Sequence, residues 1–129
     1  MKAYCHVVAV IIGFTSLAAL AIKSSPVWGF LFFVPFSLFP HFITHLLIAN
    51  FRSSAALAVL TITDILFFAW FAYVYAIIFY VDIDPQGAIG LIFLGIYSMP
   101  VVLPLWIVAV LLELRWRTAR RQKDTGRLA

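Results

Sequence analysis

Three ionisable side chains stand out because they lie inside strongly apolar segments of the chain. Asp64 is the carboxylate placed well inside an apolar run, and His41 and His45 lie four residues apart in the run that precedes it. An ionisable group costs a few kcal/mol or more in the hydrocarbon core of a membrane, so such residues are candidates for function. The hydroxyl residues that accompany them in the same runs are Ser37, Thr44 and Thr61.

The spacing of these residues predicts a contact between His41 and Asp64. The two runs meet at a break that contains Arg52, and His41 and Asp64 lie at similar distances on either side of it. If both runs are helices, the two side chains therefore lie at nearly the same depth. Helical periodicity places Ser37, His41, Thr44 and His45 within an arc of about 100°, and Thr61 on the same side as Asp64. Each set therefore forms a single polar stripe, and the two stripes can face each other.

Three interpretations of this polar cluster compete. In the first, a hydrogen bond between His41 and Asp64, with threonine and serine nearby, holds two helices together. In the second, the cluster relays protons or ions, because imidazole exchanges protons near neutral pH. In the third, His41 and His45 bind a metal, since their spacing places both imidazoles on one helical face. Two ligands are too few unless Asp64 and His6 join them, so the first interpretation is favoured and no metal or other cofactor is expected.

The sequence lacks the motifs that would indicate an enzyme. It contains no Gly-x-Ser-x-Gly, no His-Glu-x-x-His, no Cys-x-x-Cys and no glycine-rich phosphate loop. Each of those patterns places a nucleophile, a metal or a phosphate in a defined local geometry. A non-enzymatic function is therefore expected.

The composition excludes a soluble domain. Of the 129 residues 65% are apolar and 11% are charged, and the mean hydropathy is +1.10. A soluble domain is about half apolar and about one quarter charged. The same composition excludes a disordered chain, and a single cysteine excludes a disulfide scaffold. An integral membrane protein remains.

The apolar residues fall into runs of the length that crosses a bilayer. About 20 residues are needed for each helical crossing. Charged residues, proline, glycine and serine separate the runs, and these breaks are short, so consecutive helices should be antiparallel neighbours. The fold expected is an all-α integral membrane protein, a four-transmembrane-helix antiparallel bundle that forms a single membrane domain over residues 1–129. The predicted spans are about 4–22, 27–50, 55–80 and 88–112, followed by a basic tail at 113–129.

The basic residues predict the orientation of the chain. With four spans, eight of the nine lysine and arginine residues lie on the side of the two termini. By the positive-inside rule both termini are expected in the cytoplasm, in a bacterial inner membrane. The tail should continue the fourth helix for a turn or two and contact anionic lipid headgroups, with Glu113 as a solvated helix end. No nucleic-acid partner is expected. The tail cations assigned to lipid or partner contact are Arg115, Arg117, Arg120, Arg121 and Lys123.

Two classes of function are consistent with these features. The first is a small membrane protein that acts through intramembrane helix contacts with a protein partner or a second copy. An immunity protein against a membrane-inserting toxin and an accessory subunit of a membrane complex are both examples. The second is a small oligomeric channel or transporter coupled to protons or ions, with His41, His45 and Asp64 along its path. Four helices rarely enclose a conduit alone, so the second class requires an oligomer.

Overall fold

The computed structural model describes residues 1–23, 27–81 and 87–128. Four helices make up this part of the chain. They are α1 (Lys2–Lys23), α2 (Val27–Asn50), α3 (Ser54–Ala76), which continues into a π-helical turn (Ile77–Val81), and α4 (Gly87–Leu128). The predicted breaks at 24–26 and 82–86 lie outside the described residues.

The described part of the chain is helical almost throughout and contains no strand. Only Met1 and residues 51–53 lie outside helices. Three helical stretches are long and apolar enough to cross a membrane: Lys2–Ile22, Ser54–Val81 and Ile89–Thr125. α2 is of similar length, with 24 residues. The all-α prediction is confirmed, and the long apolar helices are compatible with a membrane bundle.

The helices are arranged with α2 and α3 in the middle. α4 packs against both of them on one side, and α1 packs against both on the other. Within the described residues, no Cα atom of α1 lies within 8 Å of a Cα atom of α4. Each helix therefore neighbours the one that precedes it in sequence, as the short breaks predicted. The end of the bundle that carries residues 51–53 and the start of α1 is called the Arg52 end below.

Two apolar clusters fill the bundle, and polar residues lie between them. Along α3, Asp64 falls between Leu60 of the first cluster and Phe67 of the second. Along α2, His41 lies between Leu38 and Ile48 in the same way. The first cluster, nearer the Arg52 end, includes Cys5, Ala9, Ile48, Leu57, Leu60 and Trp106. The second includes Leu20, Leu38, Phe67, Phe71, Leu91 and Leu94.

A glycine allows α4 to approach α2 closely. A Cβ atom at Gly95 would collide with the backbone oxygen of Phe36 and would lie 2.6 Å from Cε1 of the Phe39 ring. Pro40 follows in α2 and has no N–H to donate to the carbonyl of Phe36. The close approach of the two helices therefore depends on the absence of a side chain at Gly95.

We expect Gly95→Ala to destabilise the bundle by about 1–3 kcal/mol, because the added methyl group must displace backbone rather than a flexible side chain. Gly90→Ala in the same helix is the matched control. Its added Cβ would lie 3.4 Å from Ile78 Cδ1, and alanine favours a helix over glycine by up to about 1 kcal/mol. Unfolding by SDS titration of the purified protein in detergent would compare them, and equal stabilities for the two variants would contradict the prediction.

Candidate functional site

The expected contact between His41 and Asp64 is present between α2 and α3. His41 Nδ1 lies 2.7 Å from Asp64 Oδ1. His41 is 5% exposed and Asp64 is 1% exposed, so the pair is buried inside the bundle. An ionised carboxylate can only accept, so with Asp64 ionised Nδ1 carries the proton and donates it. This buried hydrogen bond joins the two central helices.

α1 closes the other side of the imidazole. A Cβ atom at Gly13 would lie 2.7 Å from His41 Nε2, which is closer than a real side chain could come. The His41 ring is therefore held between Gly13 on α1 and Asp64 on α3. Three helices position this one side chain, so its orientation is a property of the bundle and not of α2 alone.

The second carboxylate oxygen of Asp64 has no hydrogen-bond partner among the described residues. The hydroxyl of Ser16 on α1 also has no hydrogen-bond partner among these residues, and Ser16 is 1% exposed. A buried polar atom without a partner costs about 1–3 kcal/mol, and most are paired in folded proteins. Asp64 Oδ2 is thus an unused acceptor at the centre of the bundle.

The imidazoles extend from Asp64 toward the Arg52 end. The ring centroids of His41 and His45 are 6.4 Å apart. The rings of His45 and His6 are 5.5 Å apart and meet edge to face, which brings in a residue of α1. The sequence interpretation considered His6 only as a metal ligand. We call Asp64, His41, His45 and His6 together the histidine row.

In the described residues the histidine row does not form a metal centre. No group of three or more histidine, cysteine or acidic side chains is arranged to hold a metal ion. In the histidine row each side chain neighbours the next one in turn, whereas the ligands of a metal ion must surround a common point. The arrangement can carry or hold a proton, or it can join helices.

The hydroxyl residues assigned to the cluster do not join it, and the prediction of two facing stripes is wrong for them. Ser37 donates to the backbone oxygen of Leu91 on α4, at 2.5 Å. Thr44 accepts from Trp106 Nε1 on α4, at 2.9 Å. Thr61 donates to a backbone oxygen of its own helix. An arc of about 100° on a helix in a bundle borders two neighbours. The hydroxyls of α2 thus lie toward α4, and its imidazoles lie toward α1 and α3.

Glu113 is buried, which corrects the expectation of a solvated helix end. It is 2% exposed. Its Oε2 accepts from the backbone N–H groups of Arg52 at 3.1 Å and Ser53 at 2.8 Å, and its Oε1 accepts from Arg117 Nε at 2.9 Å. Glu113 thereby fixes the connection between α2 and α3 to α4. The signal for this role in the sequence was the position of Glu113, a single acidic residue directly after an apolar run and before several cations.

The basic tail is helical over its described length, so it extends the fourth helix further than the turn or two expected. α4 continues to Leu128. With a rise of 1.5 Å per residue, the part beyond residue 112 is about 24 Å long. The guanidinium of Arg120 lies 4.6 Å from the centre of the Trp116 ring. The exposed cations of the tail are Arg115, Arg117, Arg120, Arg121 and Lys123.

Comparisons with known protein families, curated proteins and solved structures found no match to this chain. The class of protein is therefore defined by the fold and the site alone. It is a helical protein whose long apolar helices are compatible with a membrane bundle, with a buried His–Asp pair at the centre and a basic helical extension at one end.

Proposed function

We propose that this chain is a small non-enzymatic protein of the bacterial inner membrane that acts by binding a transmembrane helix of a partner protein. An accessory subunit of a membrane complex and an immunity protein against a membrane-inserting toxin both act in this way. The observation that carries the proposal is an apolar groove with unpaired polar groups between α3 and α4.

The groove lies on the outside of the bundle and has a volume of about 260 Å³. Its walls are mostly apolar, and the polar groups among its lining residues are those of Ser98, Trp70 and Tyr97. The Ser98 hydroxyl already donates to the backbone oxygen of Gly95. The other residues that line it are Leu66, Phe67, Val101 and Val102.

Trp70 and Tyr97 are unusual at this position. They are 41% and 69% exposed, and both lie at least nine residues from the ends of the predicted spans. Tryptophan and tyrosine in membrane proteins concentrate at the lipid–water boundary, where the polar end of the ring meets water. The indole N–H and the phenol O–H have no hydrogen-bond partner in the described part of the chain. Two donors thus face the hydrocarbon region unpaired.

A partner helix would satisfy both donors, whereas lipid chains offer no acceptor. Helices in membranes associate through close packing and interhelical hydrogen bonds, and such a bond contributes about 1–2 kcal/mol in model peptides. A helix that carries hydroxyl or amide acceptors would fill the groove and accept from Trp70 and Tyr97. The chemistry of the groove therefore favours a transmembrane helix with hydroxyl or amide acceptors over lipid chains.

Photo-crosslinking in membranes of the native cells would test the proposal. A benzophenone side chain at Val101 in the groove should form a protein adduct, and adding Trp70→Phe and Tyr97→Phe should reduce its yield several-fold. A benzophenone at Phe14, which is 72% exposed on α1, is the matched control and should give no such adduct. An adduct of twice the chain mass would identify a second copy as the partner. Adducts with lipid alone would overturn the proposal, as would a yield of protein adduct that Trp70→Phe and Tyr97→Phe leave unchanged.

The histidine row favours a second candidate, a small oligomeric channel or transporter for protons or ions. Four helices enclose little space, so a conduit would have to form between copies. In this candidate Asp64, His41 and His45 line the path. Proton flux in liposomes that depends on Asp64 would select it over the first candidate.

The orientation that we propose places both termini in the cytoplasm. It is supported by the distribution of lysine and arginine, eight of nine of which then lie on that side. The tail cations contact anionic headgroups in this proposal, because all five side chains are exposed and each contributes about 1 kcal/mol near such a surface. Nucleic acid is not among the proposed partners.

A further inference from the structure

Asp64 and the three imidazoles form a continuous series from the Arg52 end to the centre of the bundle. His6 lies on the second turn of α1 and is partly exposed, and His45 is partly exposed in a groove between α1 and α2. Their rings are 5.5 Å apart, the next two rings are 6.4 Å apart, and the last junction is the 2.7 Å hydrogen bond to Asp64. At these separations one water molecule can bridge neighbouring imidazoles, and an imidazole can both accept and donate a proton.

The charge of the row is unbalanced when all three imidazoles are neutral. Asp64 then carries a single negative charge at a position that is 1% exposed. Two other titratable side chains of α1, Lys2 and Cys5, lie at the same end of the bundle. Lys2 Nζ donates to the backbone oxygen of Ala49, and buried Cys5 has its sulfur against the backbone oxygen of Leu57. The backbone of α4 lies further away, with no Cα atom within 8 Å of a Cα atom of α1 among the described residues.

One added proton removes this imbalance. A buried net charge is costly, while a buried pair of opposite charges or a neutral acid with a neutral base is much less so. The proton can sit on His41, which makes an ion pair with Asp64, or on the unpaired Oδ2 of Asp64. Both arrangements give the pair a net charge of zero. The proton comes from water at the Arg52 end and returns there when the pair is unloaded, so no other reactant is consumed.

We propose that the histidine row is a proton-binding site that is loaded from the Arg52 end through His6 and His45 and that stores one proton on the His41–Asp64 pair. This inference does not rest on the helix-binding groove, which lies between α3 and α4 and shares no residue with the row. It also differs from a conduit, because a stored proton leaves by the route through which it entered.

Time-resolved infrared spectroscopy of the full chain in lipid nanodiscs would test the proposal. After a rapid drop in pH, the carboxylate bands of isotopically labelled aspartate report a proton on Asp64, and the imidazole bands of labelled histidine report a proton on His41. Asp64→Asn identifies the band of Asp64. His6→Gln should slow the loading step by about tenfold or more, which corresponds to about 1.4 kcal/mol in the barrier, and should leave its final extent unchanged. His45→Gln should have the same effect.

Val10→Gln is the matched control, because it places the same amide on α1 beside the groove without removing an imidazole. It should load at the rate of the unmodified protein, and the helical circular dichroism of each variant checks that it is folded. Loading at an unchanged rate in both histidine variants would overturn the proposal. Proton flux through liposomes that disappears in Asp64→Asn would also overturn it, in favour of a conduit. The cross-link at Val101 tests the helix-binding groove alone, so its failure would leave the loading rates of the histidine row unaffected.

Discussion

His41→Leu is expected to lower the free energy of unfolding by about 3–5 kcal/mol, because it leaves the buried carboxylate of Asp64 without its partner. The side-chain volume is nearly kept, so the loss reports the broken pair rather than a cavity. Asp64→Asn should cost less, since an amide oxygen still accepts from His41 Nδ1. The measurement is SDS or thermal unfolding of the purified protein in detergent.

The double variant His41→Leu/Asp64→Val decides whether the two residues act as a pair. It should recover much of the stability lost in His41→Leu, because no unpaired polar group then remains. Thr63→Val is the matched control on α3. Its hydroxyl is fully buried but is bonded within its own helix, to the backbone oxygen of Val59, so the change should be small. Additive losses in the two single variants, with no recovery in the double, would show that the contact contributes nothing.

Glu113→Ala is the second change with a large expected effect, a loss of about 2–4 kcal/mol in the free energy of unfolding. It leaves the backbone N–H groups of Arg52 and Ser53 without the acceptor that they share. Hydrogen bonds to charged groups contribute about 1.5–3 kcal/mol each, and unpaired buried donors are costly. The connection between α2 and α3 would then be released from α4, which should also increase proteolysis at residues 51–53.

The salt bridge at Glu113 should matter much less than its backbone contacts. The Arg117 side chain is 54% exposed, and exposed ion pairs contribute about 0–1 kcal/mol. We therefore expect Arg117→Gln to be close to neutral. Asp124→Asn, which removes an exposed carboxylate from the same helix, is the matched control. If Arg117→Gln were as harmful as Glu113→Ala, the role assigned to the two backbone contacts would be wrong.

Prediction from the sequence worked best where a short-range rule was sufficient. The length and polarity of the runs gave helices with bounds within a few residues of those observed, apart from the tail. The pairing of His41 with Asp64 was also predictable, because two helices joined by a tight connection at residues 51–53 must keep equal distances from it in register. A carboxylate in an apolar helix also has few ways to avoid an unpaired charge, so a nearby imidazole was the expected partner.

Prediction failed where the outcome depended on how a helix is rotated against its neighbours. Ser37 and Thr44 share an arc with His41, yet they bond to α4 because that helix borders the other edge of the arc. His6 entered the row because α1 packs on the same side as the imidazoles. Neither fact has a signature in the spacing of residues along one helix, since both depend on which helices lie side by side.

The sequence by itself determined the apolar character of the helices, their number and approximate length, and the level along the bundle at which Asp64 meets His41. These follow from hydropathy and helical periodicity, which act along the chain. Only the tertiary structure decided that Glu113 is buried against residues 52 and 53, that His6 extends the row, and that the hydroxyls lie apart from it. Contacts between residues far apart in sequence fix these features, and close approaches at Gly13 and Gly95 set the rotation and spacing of the helices that make them.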